Sequence, residues 1–373
     1  VDFQFYLQDP TDPETEYLYE AIISAATDAS AWKGIYAFAS HGGVNHLIED
    51  PIVHDFMRKG GEIDLLVGID AITNRQTLER LQMLERRHRR FRPRVFWNDS
   101  QGLFHPKISH FSYADGRETL IVGSGNLTPG GLMHNFEGYS VISAETGEHL
   151  DMSSLNAFLT RNEANIRSID DEVLARAALN LVRPIAGAVR PPIPGRRLKK
   201  GKLIIPRRAV VTSAAVFDRI LIAQVPKAGD RWAQVHFNTD VIERYFRISD
   251  LKTQRVYLSR MDETGRRGDE EVRPCVYAVS NKNHKIEIAA AKGLDYPTRG
   301  HPILIFKERQ VRCFDYMLLM PDQAGYGPLL RLTETLPSIG RGFRRVITNL
   351  PTLEKAWPEC PLLTLSTEEE KDI

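Results

Sequence analysis

The chain runs to 373 residues, of which 26% are charged and 42% hydrophobic, a balance that excludes a disordered or membrane-embedded chain and leaves room for two globular domains. No stretch approaches the roughly 18 apolar residues of a spanning helix, and the N-terminal residues lack a basic-then-apolar leader, so a cytoplasmic protein without membrane contacts is expected. The formal charge of +1 conceals a split: residues 1–182 carry 16 Lys and Arg against 26 Asp and Glu (net −10), whereas residues 183–315 carry 27 against 14 (net +13). A middle segment that basic is a candidate surface for a polyanion, and on charge alone a plain solvated surface is an equal alternative.

From the first residues onward, short β-branched runs alternate with helical patterns, which predicts an α/β layer. Strands are expected over 34–40 (GIYAFAS), 62–69, 94–97, 107–111, 119–122 and 138–142. Leu78, Leu81 and Leu84 recur at helical spacing and predict a helix over 75–88. A longer helix is expected over 150–167, with Asp151 and Ser153 as its capping residues. His41 and His46, in SHGGVNH after the first of these strands, read as an ordinary turn before they read as the mouth of a site.

Between residues 183 and 208 the composition turns to Pro, Gly and basic residues, RPIAGAVRPPIPGRRLKKGKLIIPRR. This reads as a semi-rigid, positively charged strap between domains. Beyond it short strands are expected over 220–225, 233–237, 255–258, 272–279, 285–290, 303–306 and 314–319, separated by turns such as DETGRRGDEE and SNKNH, as in an all-β barrel or sandwich. The layout is thus a domain over 1–182, a linker over 183–208, a β domain over 209–362 and an acidic tail over 363–373. Cys275, Cys313 and Cys360 are odd in number and have no close Cys or His partners, which predicts buried small apolar groups and neither disulfide nor zinc site.

The chemistry is concentrated in the stretch from Phe104, FHPKISHFSYADGRETLIVGSGNLTPGGLMHNFEG. His105 and Lys107 are two apart on a strand-like run, so both side chains project from one face. Antiparallel pairing with ETLIVGSGN brings Ser124 and Asn126 to the same patch. That set suits phosphoryl transfer: a neutral imidazole attacks phosphorus, an ammonium offsets charge on the phosphoryl oxygens, and hydroxyl and amide groups donate to them. Glu137 is a candidate to orient the histidine through its second nitrogen. His134, close by in sequence, is equally a pocket or a surface residue. No metal-ligand cluster is required.

H-x-K followed by G-S-x-N resembles the phospholipase D superfamily motif, position by position at His105, Lys107, Gly123, Ser124 and Asn126. One departure matters: the motif's aspartate is expected five residues after the lysine, where this chain has Ser112, and Asp115 is a weak substitute. Small nucleases and restriction endonucleases of that superfamily tolerate this loss and carry a glutamate where Glu137 stands. The resemblance therefore points away from lipases and toward nucleases, with an α/β domain built on a mixed sheet with flanking helices. A single motif copy implies a homodimer through this domain, in which one His105 is the nucleophile and its symmetry mate protonates the leaving oxygen, without metal or other cofactor.

Residues 210–320 resemble, in pattern more than identity, the mainly-β B3-like pseudobarrel of plant transcription factors and of certain phospholipase D-like restriction endonucleases. VPKAGDRWAQ (225–234) looks like its N-terminal arm, and YAVSNKNHKIEIAAAKGL, beginning at Tyr277, like its C-terminal arm. The resemblance implies a DNA-reading set of Lys227, Arg231, Trp232, Gln234, Ser280, Asn281, Lys282, Asn283 and Lys285. Arg231 suits guanine O6 and N7, Gln234, Asn281 and Asn283 suit adenine, the lysines suit phosphates, and Trp232 suits a sugar or base. Taken alone, SNKN reads first as a polar turn, because Asn and Ser favour turns through their own local hydrogen bonds, and only beside the nuclease motif, the basic field and the linker does the DNA-reading assignment come first.

Together these features imply a site-specific restriction endonuclease that hydrolyses double-stranded DNA through a covalent phosphohistidine, its sequence chosen by the second domain. The resemblance leaves room for a separate ATPase/helicase-like subunit and a cognate DNA methyltransferase. The chain has no Walker motif, so ATP enters only through such a partner. A lipid phosphodiesterase and a catalytically silent DNA-binding regulator stand as alternatives.

Overall fold

The computed structural model describes residues 1–97, 102–180, 218–227, 232–279, 283–340 and 342–363. The expected linker and all but the first residue of the acidic tail lie outside the described residues. The N-terminal region is built on strands β1 (Asp2–Gln8), β2 (Ala29–Tyr36), β3 (Glu62–Gly68), β4 (Phe91–Phe96), β5 (Lys107–Tyr113), β6 (Glu118–Gly123), β7 (Glu137–Ala144) and β8 (Ile166–Arg167). They form one mixed sheet in the order β1-β7-β6-β5-β2-β3-β4-β8. β2, β3 and β4 run parallel, which requires crossovers. Helices α2 (His41–Ile48), α3 (Pro51–Arg58) and α4 (Arg75–Arg87) supply them, after α1 (Leu18–Ala26). β5, β6 and β7 pair antiparallel in succession, and β1 closes that edge against β7.

Several expectations are corrected here. The first central strand runs over 29–36, and Ser40 caps α2 by accepting from Gly43 N at 3.2 Å, so SHGGVNH opens a helix and is not a turn. The long helix over 150–167 breaks: α5 (Ser153–Arg161) ends, a short 3-10 turn follows, and β8 pairs with β4. Met152 is the N-cap, while Asp151 accepts from Ser153 N at 2.9 Å. α6 (Asp171–Ala177) completes the region.

The C-terminal region contains β9 (Arg219–Gln224), β10 (Gln234–Phe237), α7 (Thr239–Val241), β11 (Arg255–Met261), β12 (Arg267–Pro274), β13 (Val276–Ala278), β14 (Asn283–Glu287), β15 (Ile303–Gln310), β16 (Cys313–Leu319), α8 (Tyr326–Thr335), β17 (Arg345–Asn349) and α9 (Leu350–Ala356). The strand expected over 272–279 is split between β12 and β13. Where an all-β barrel or sandwich and a B3-like pseudobarrel were expected, the described residues form two sheets that do not close, β12-β11-β16-β15-β9-β17 and β10-β14-β13, together with α8 and α9. Ile220, Ile222, Ile303 and Ile305 pack under Leu329 of α8 and Leu353 of α9, whereas Leu221, Leu304 and Phe306 pack against Val235 and Ile286 of the small sheet. Burial on both faces explains why β9 and β15 read as nearly continuous apolar runs. All three cysteines are free and buried, as expected.

The two regions share a core, because Tyr257 and Cys313 belong to the apolar cluster of the N-terminal sheet. Two buried ion pairs cross the junction. Arg255 donates to Asp50 through Nε and Nη2 at 2.8 and 3.1 Å. Arg312 grips Glu20 at 3.1 and 3.0 Å and donates to the Thr15 carbonyl at 2.9 Å. Both arginines are 1% exposed. Charges are tolerated there because their donors and acceptors are matched: Asp50 also accepts from the Tyr19 hydroxyl, and Arg312 lies over the Tyr17 ring. Among the described residues no helix is long and apolar enough to cross a membrane.

Candidate active site

Four strand ends meet at the site. β5 and β6 pair with Ile108 opposite Val122, so the next step sets Lys107 opposite Gly123 and beside Ser124. β2 closes the other side of β5, with Tyr36 paired to Lys107. β7 brings Glu137, its first residue, next to the end of β6. His105 lies just before β5, so the two motif side chains do not share a strand, but they do meet. Lys107 Nζ is 2.9 Å from His105 Nδ1, 3.3 Å from Nε2 and 3.0 Å from the His105 carbonyl.

An ammonium has only protons to give, so the ring nitrogen it bonds is the unprotonated one and the imidazole is neutral. The electrostatics agree: partial burial and then the Lys107 charge hold the His105 pKa below its ordinary value. Lys107 is itself buried, 8% exposed. That burial lowers its pKa, against the opposing pull of the Glu137 carboxylate. The His105 ring stands exposed, edge-to-face with Phe38 at 5.6 Å.

The loop after β6 is held by close backbone approaches that only glycine allows. A Cβ on Gly123 would lie 2.6 Å from the Gly138 carbonyl oxygen, one on Gly125 2.4 Å from that of Gly131, and one on Gly131 2.3 Å from the Asn126 nitrogen. Asn126 Oδ1 accepts from Phe38 N at 3.2 Å, so its Nδ2 is the end left to donate. Ser124 donates from its hydroxyl to Glu137 and accepts from Gly138 N at 3.1 Å. Here sequence reasoning differs from the structure: Glu137 was expected on the imidazole, but its hydrogen bonds run to Ser124 and Asn135, and the imidazole's partner is Lys107. Asp115 is no substitute for the missing aspartate, because it pairs with Arg117 in the turn beyond the far end of β5.

The remaining histidines serve other ends. His134 and His46 both face Glu270 across the junction, at 3.0 and 3.5 Å. Burial works to lower the His134 pKa, but the Glu270 carboxylate overrides it and raises the pKa. His41 bonds Asn45 within α2 at 3.1 Å. Among the described residues no group of His, Cys, Asp and Glu is set to hold a metal ion.

Of the expected DNA-reading set, Gln234, Asn283 and Lys285 come together on one face of the small sheet, where Lys285 is paired with His236 and Val276, and Asn283 with Ala278. Lys227 is exposed just past β9. Trp232 is corrected: it is 5% exposed, bonds the Leu294 carbonyl at 2.8 Å and packs on Tyr296 in the core, so no sugar or base reaches it. Arg231, Ser280, Asn281 and Lys282 lie outside the described residues.

Comparison of the sequence with protein-family profiles and with curated proteins gives no match. Among solved structures, the chain is similar to a phospholipase D family member, Nuc from Salmonella typhimurium, at 14% identity over 46% of this chain and 99% of that one, TM-score 0.34. It is also similar to NucT from Helicobacter pylori, at 13% identity over 45% and 100%, TM-score 0.32. A third is the yeast tyrosyl-DNA phosphodiesterase, at 14% identity over 44% and 42%, TM-score 0.30. At scores this low the chemistry rests on the side chains themselves.

Proposed function

We propose that the chain is a phosphodiesterase acting on DNA, a restriction-type endonuclease with a histidine nucleophile. The observation that carries this reading is the exposed, neutral His105 imidazole bonded by the buried Lys107 ammonium beside a glycine-locked Ser124–Asn126 loop. His105 attacks phosphorus, a P–N bond forms and the P–O bond to the leaving oxygen breaks. Lys107 moves from the ring to the phosphoryl oxygens, joined by the Asn126 amide and by the Ser124 hydroxyl, whose one proton turns from Glu137 to the phosphate. Glu137, through Ser124 and Asn135, orients this loop and keeps Lys107 charged. Water then attacks the phosphohistidine and gives its proton to the His105 of a second copy, left neutral by the first step, so that P–N breaks and the imidazole is restored.

The leaving oxygen needs a proton, and a neutral site histidine already used as nucleophile cannot give it. We propose that a second copy of the chain supplies it: its His105, protonated in the complex where the substrate phosphate charge lies beside it, gives that proton to the leaving oxygen. An uncovered apolar face next to the site supports a homodimer: Phe3, Phe5 and Leu7 of β1 are 62%, 63% and 63% exposed, Val122 of β6 is 38% exposed, and Phe136 66%. The face bearing Gln234, Asn283 and Lys285 is the proposed DNA-reading surface, of the B3-like kind. An ATPase/helicase-like subunit and a methyltransferase are proposed as partners of the system, and no metal as cofactor.

The test is plasmid cleavage in EDTA by wild type and His105→Ala, with and without ATP and a candidate ATPase/helicase-like subunit. Cleavage by wild type alone supports the reading. Equal cleavage by both, or tight binding with no cleavage under any condition, contradicts it.

A further inference from the structure

Beside His105 lies a cavity that the phosphoryl chemistry leaves unused. The apolar stripe of α5, Leu155, Phe158 and Leu159, faces Ile35, Leu66, Phe96 and Phe104 of the sheet. Yet no residue of α5 is fully buried, because the helix stands off over a cavity of about 550 Å³. Protein interiors ordinarily close such gaps, and a cavity of this size is in the range of ligand sites.

Its walls are flat. Phe96 and Phe104 stack at 4.2 Å with planes 12° apart. Phe158 stands 5.8 Å from Phe96 and 6.2 Å from Phe104, its ring tilted by 24° and 20°. His105 lies on the lining together with Asn162 and Asn165. Asn162 Nδ2 donates to the Phe158 carbonyl at 2.8 Å, and Asn165 Nδ2 donates to Asn162 Oδ1 at 3.3 Å, which fixes both amides against the helix end. No Asp, Glu, Lys or Arg lines the cavity among the described residues.

An uncharged pocket with aromatic walls and two asparagines on its lining fits a flat heteroaromatic ring with a hydrogen-bonding edge. The nucleophile on the same lining requires that ring to hang from the reacting phosphate. We propose that the pocket takes the nucleobase adjoining the scissile phosphate, turned out of the helical stack. This rests on the phosphodiesterase reading above. A base in an intact duplex must be unpaired and unstacked to enter, so the site favours positions that are single-stranded, gapped or easily opened. An acyl chain fits less well, because it would cover the two asparagines without bonding them.

The test is a cycle between pocket and base. Full-length His105→Ala binds a single-stranded oligonucleotide in which nucleotides are replaced one at a time by abasic sites, with Phe158 as Phe, Ala or Tyr. The expected result is a loss of about ten- to a hundredfold in affinity on Phe158→Ala. The loss is absent when the one sensitive position is already abasic, largely restored by Phe158→Tyr, and small for a blunt duplex. Losses that simply multiply at every position, or equal losses for single strand and duplex, overturn the pocket assignment. If Phe158→Ala does not fold, Asn162→Ala carries the same cycle. Displacement of the oligonucleotide by monomeric short-chain phosphatidylcholine, abolished by Phe158→Ala, overturns it in favour of an acyl-chain site. Cleavage of DNA by wild type with no such coupling removes the pocket and leaves the nuclease reading, whereas absence of both binding and cleavage removes both.

Discussion

The two faces of the eight-stranded sheet are finished differently. One is sealed: Trp32, Leu65, Phe111, Ile121 and Tyr139 are buried in a core that also takes in Tyr257 and Cys313 of the C-terminal region, and Lys107 and Ser109 are buried with them. The other is covered by α5 over its central strands and leaves Phe3, Phe5, Leu7 and Val122 in contact with solvent. The sealed face buries Lys107, and close backbone approaches at Gly123, Gly125 and Gly131 fix the loop beside it. The unfinished face carries both the proposed base pocket and the proposed interface with a second copy.

The largest expected effect falls on the sealed side. Glu20→Ala strands the Arg312 guanidinium, 1% exposed, in the junction. Removing one partner of such a pair costs about 3–5 kcal/mol, which urea unfolding reads directly; a loss below about 1 kcal/mol would mean that water reaches the arginine. Next is Gly125→Ala, whose Cβ would stand 2.4 Å from the Gly131 carbonyl oxygen. Displacing the Ser124–Asn126 loop by even an ångström lowers cleavage about a hundredfold with the circular dichroism spectrum unchanged, and unaltered cleavage would free that loop from the mechanism.

On the unfinished side, Phe5→Asp leaves the fold intact and shifts the chain toward monomer in sedimentation. Activity then becomes steeply dependent on protein concentration. A wild type that is monomeric at all concentrations removes the apolar face as an interface.

The smallest effect is on pH. The His134 pKa is raised from 6.5 to about 10 and that of Glu270 lowered from 4.5 to about 2, burial being overcome in each by the facing charge. The two shifts describe one contact. The raised histidine contributes stability in full below pH 6.5 and loses it as pH climbs toward about 10. The depressed carboxylate contributes above pH 4.5 and loses it toward about 2. His134→Gln therefore flattens the stability profile between pH 6.5 and about 10, and a profile with the same slope as wild type would assign the contact no weight.

What was legible in the sequence follows the same division. Lys107 opens β5, His105 lies just before it, and Ser124 and Asn126 follow the end of β6, so the pairing of two consecutive strands sets all four at one end of the sheet. The glycines of GSGN were legible as motif positions, but the carbonyls they meet were not. β1 could have been read from the alternation of Phe3, Phe5 and Leu7 with Gln4 and Tyr6, a period-two pattern. What the pattern does not carry is which way the strand faces: alternation predicts a buried apolar face, whereas Phe3, Phe5 and Leu7 are exposed. The junction was out of reach, since Arg255 and Asp50 are 205 residues apart and Arg312 and Glu20 292. An aromatic beside basic residues reads as a contact, but the Trp232 indole N–H is satisfied by the Leu294 carbonyl 62 residues away, which the sequence does not show.

The central claim is tested most directly by trapping the intermediate. Wild type is mixed in EDTA with DNA labelled at the scissile phosphate and quenched in alkali within the first turnover, and the labelled peptide is mapped. The label is expected on His105 as an acid-labile phosphohistidine, absent in His105→Ala. Because the His105 pKa is held below its ordinary value of 6.5, labelling persists to below that pH. Cleavage that proceeds with no protein-bound label, or that needs added metal and survives His105→Ala, would contradict the account.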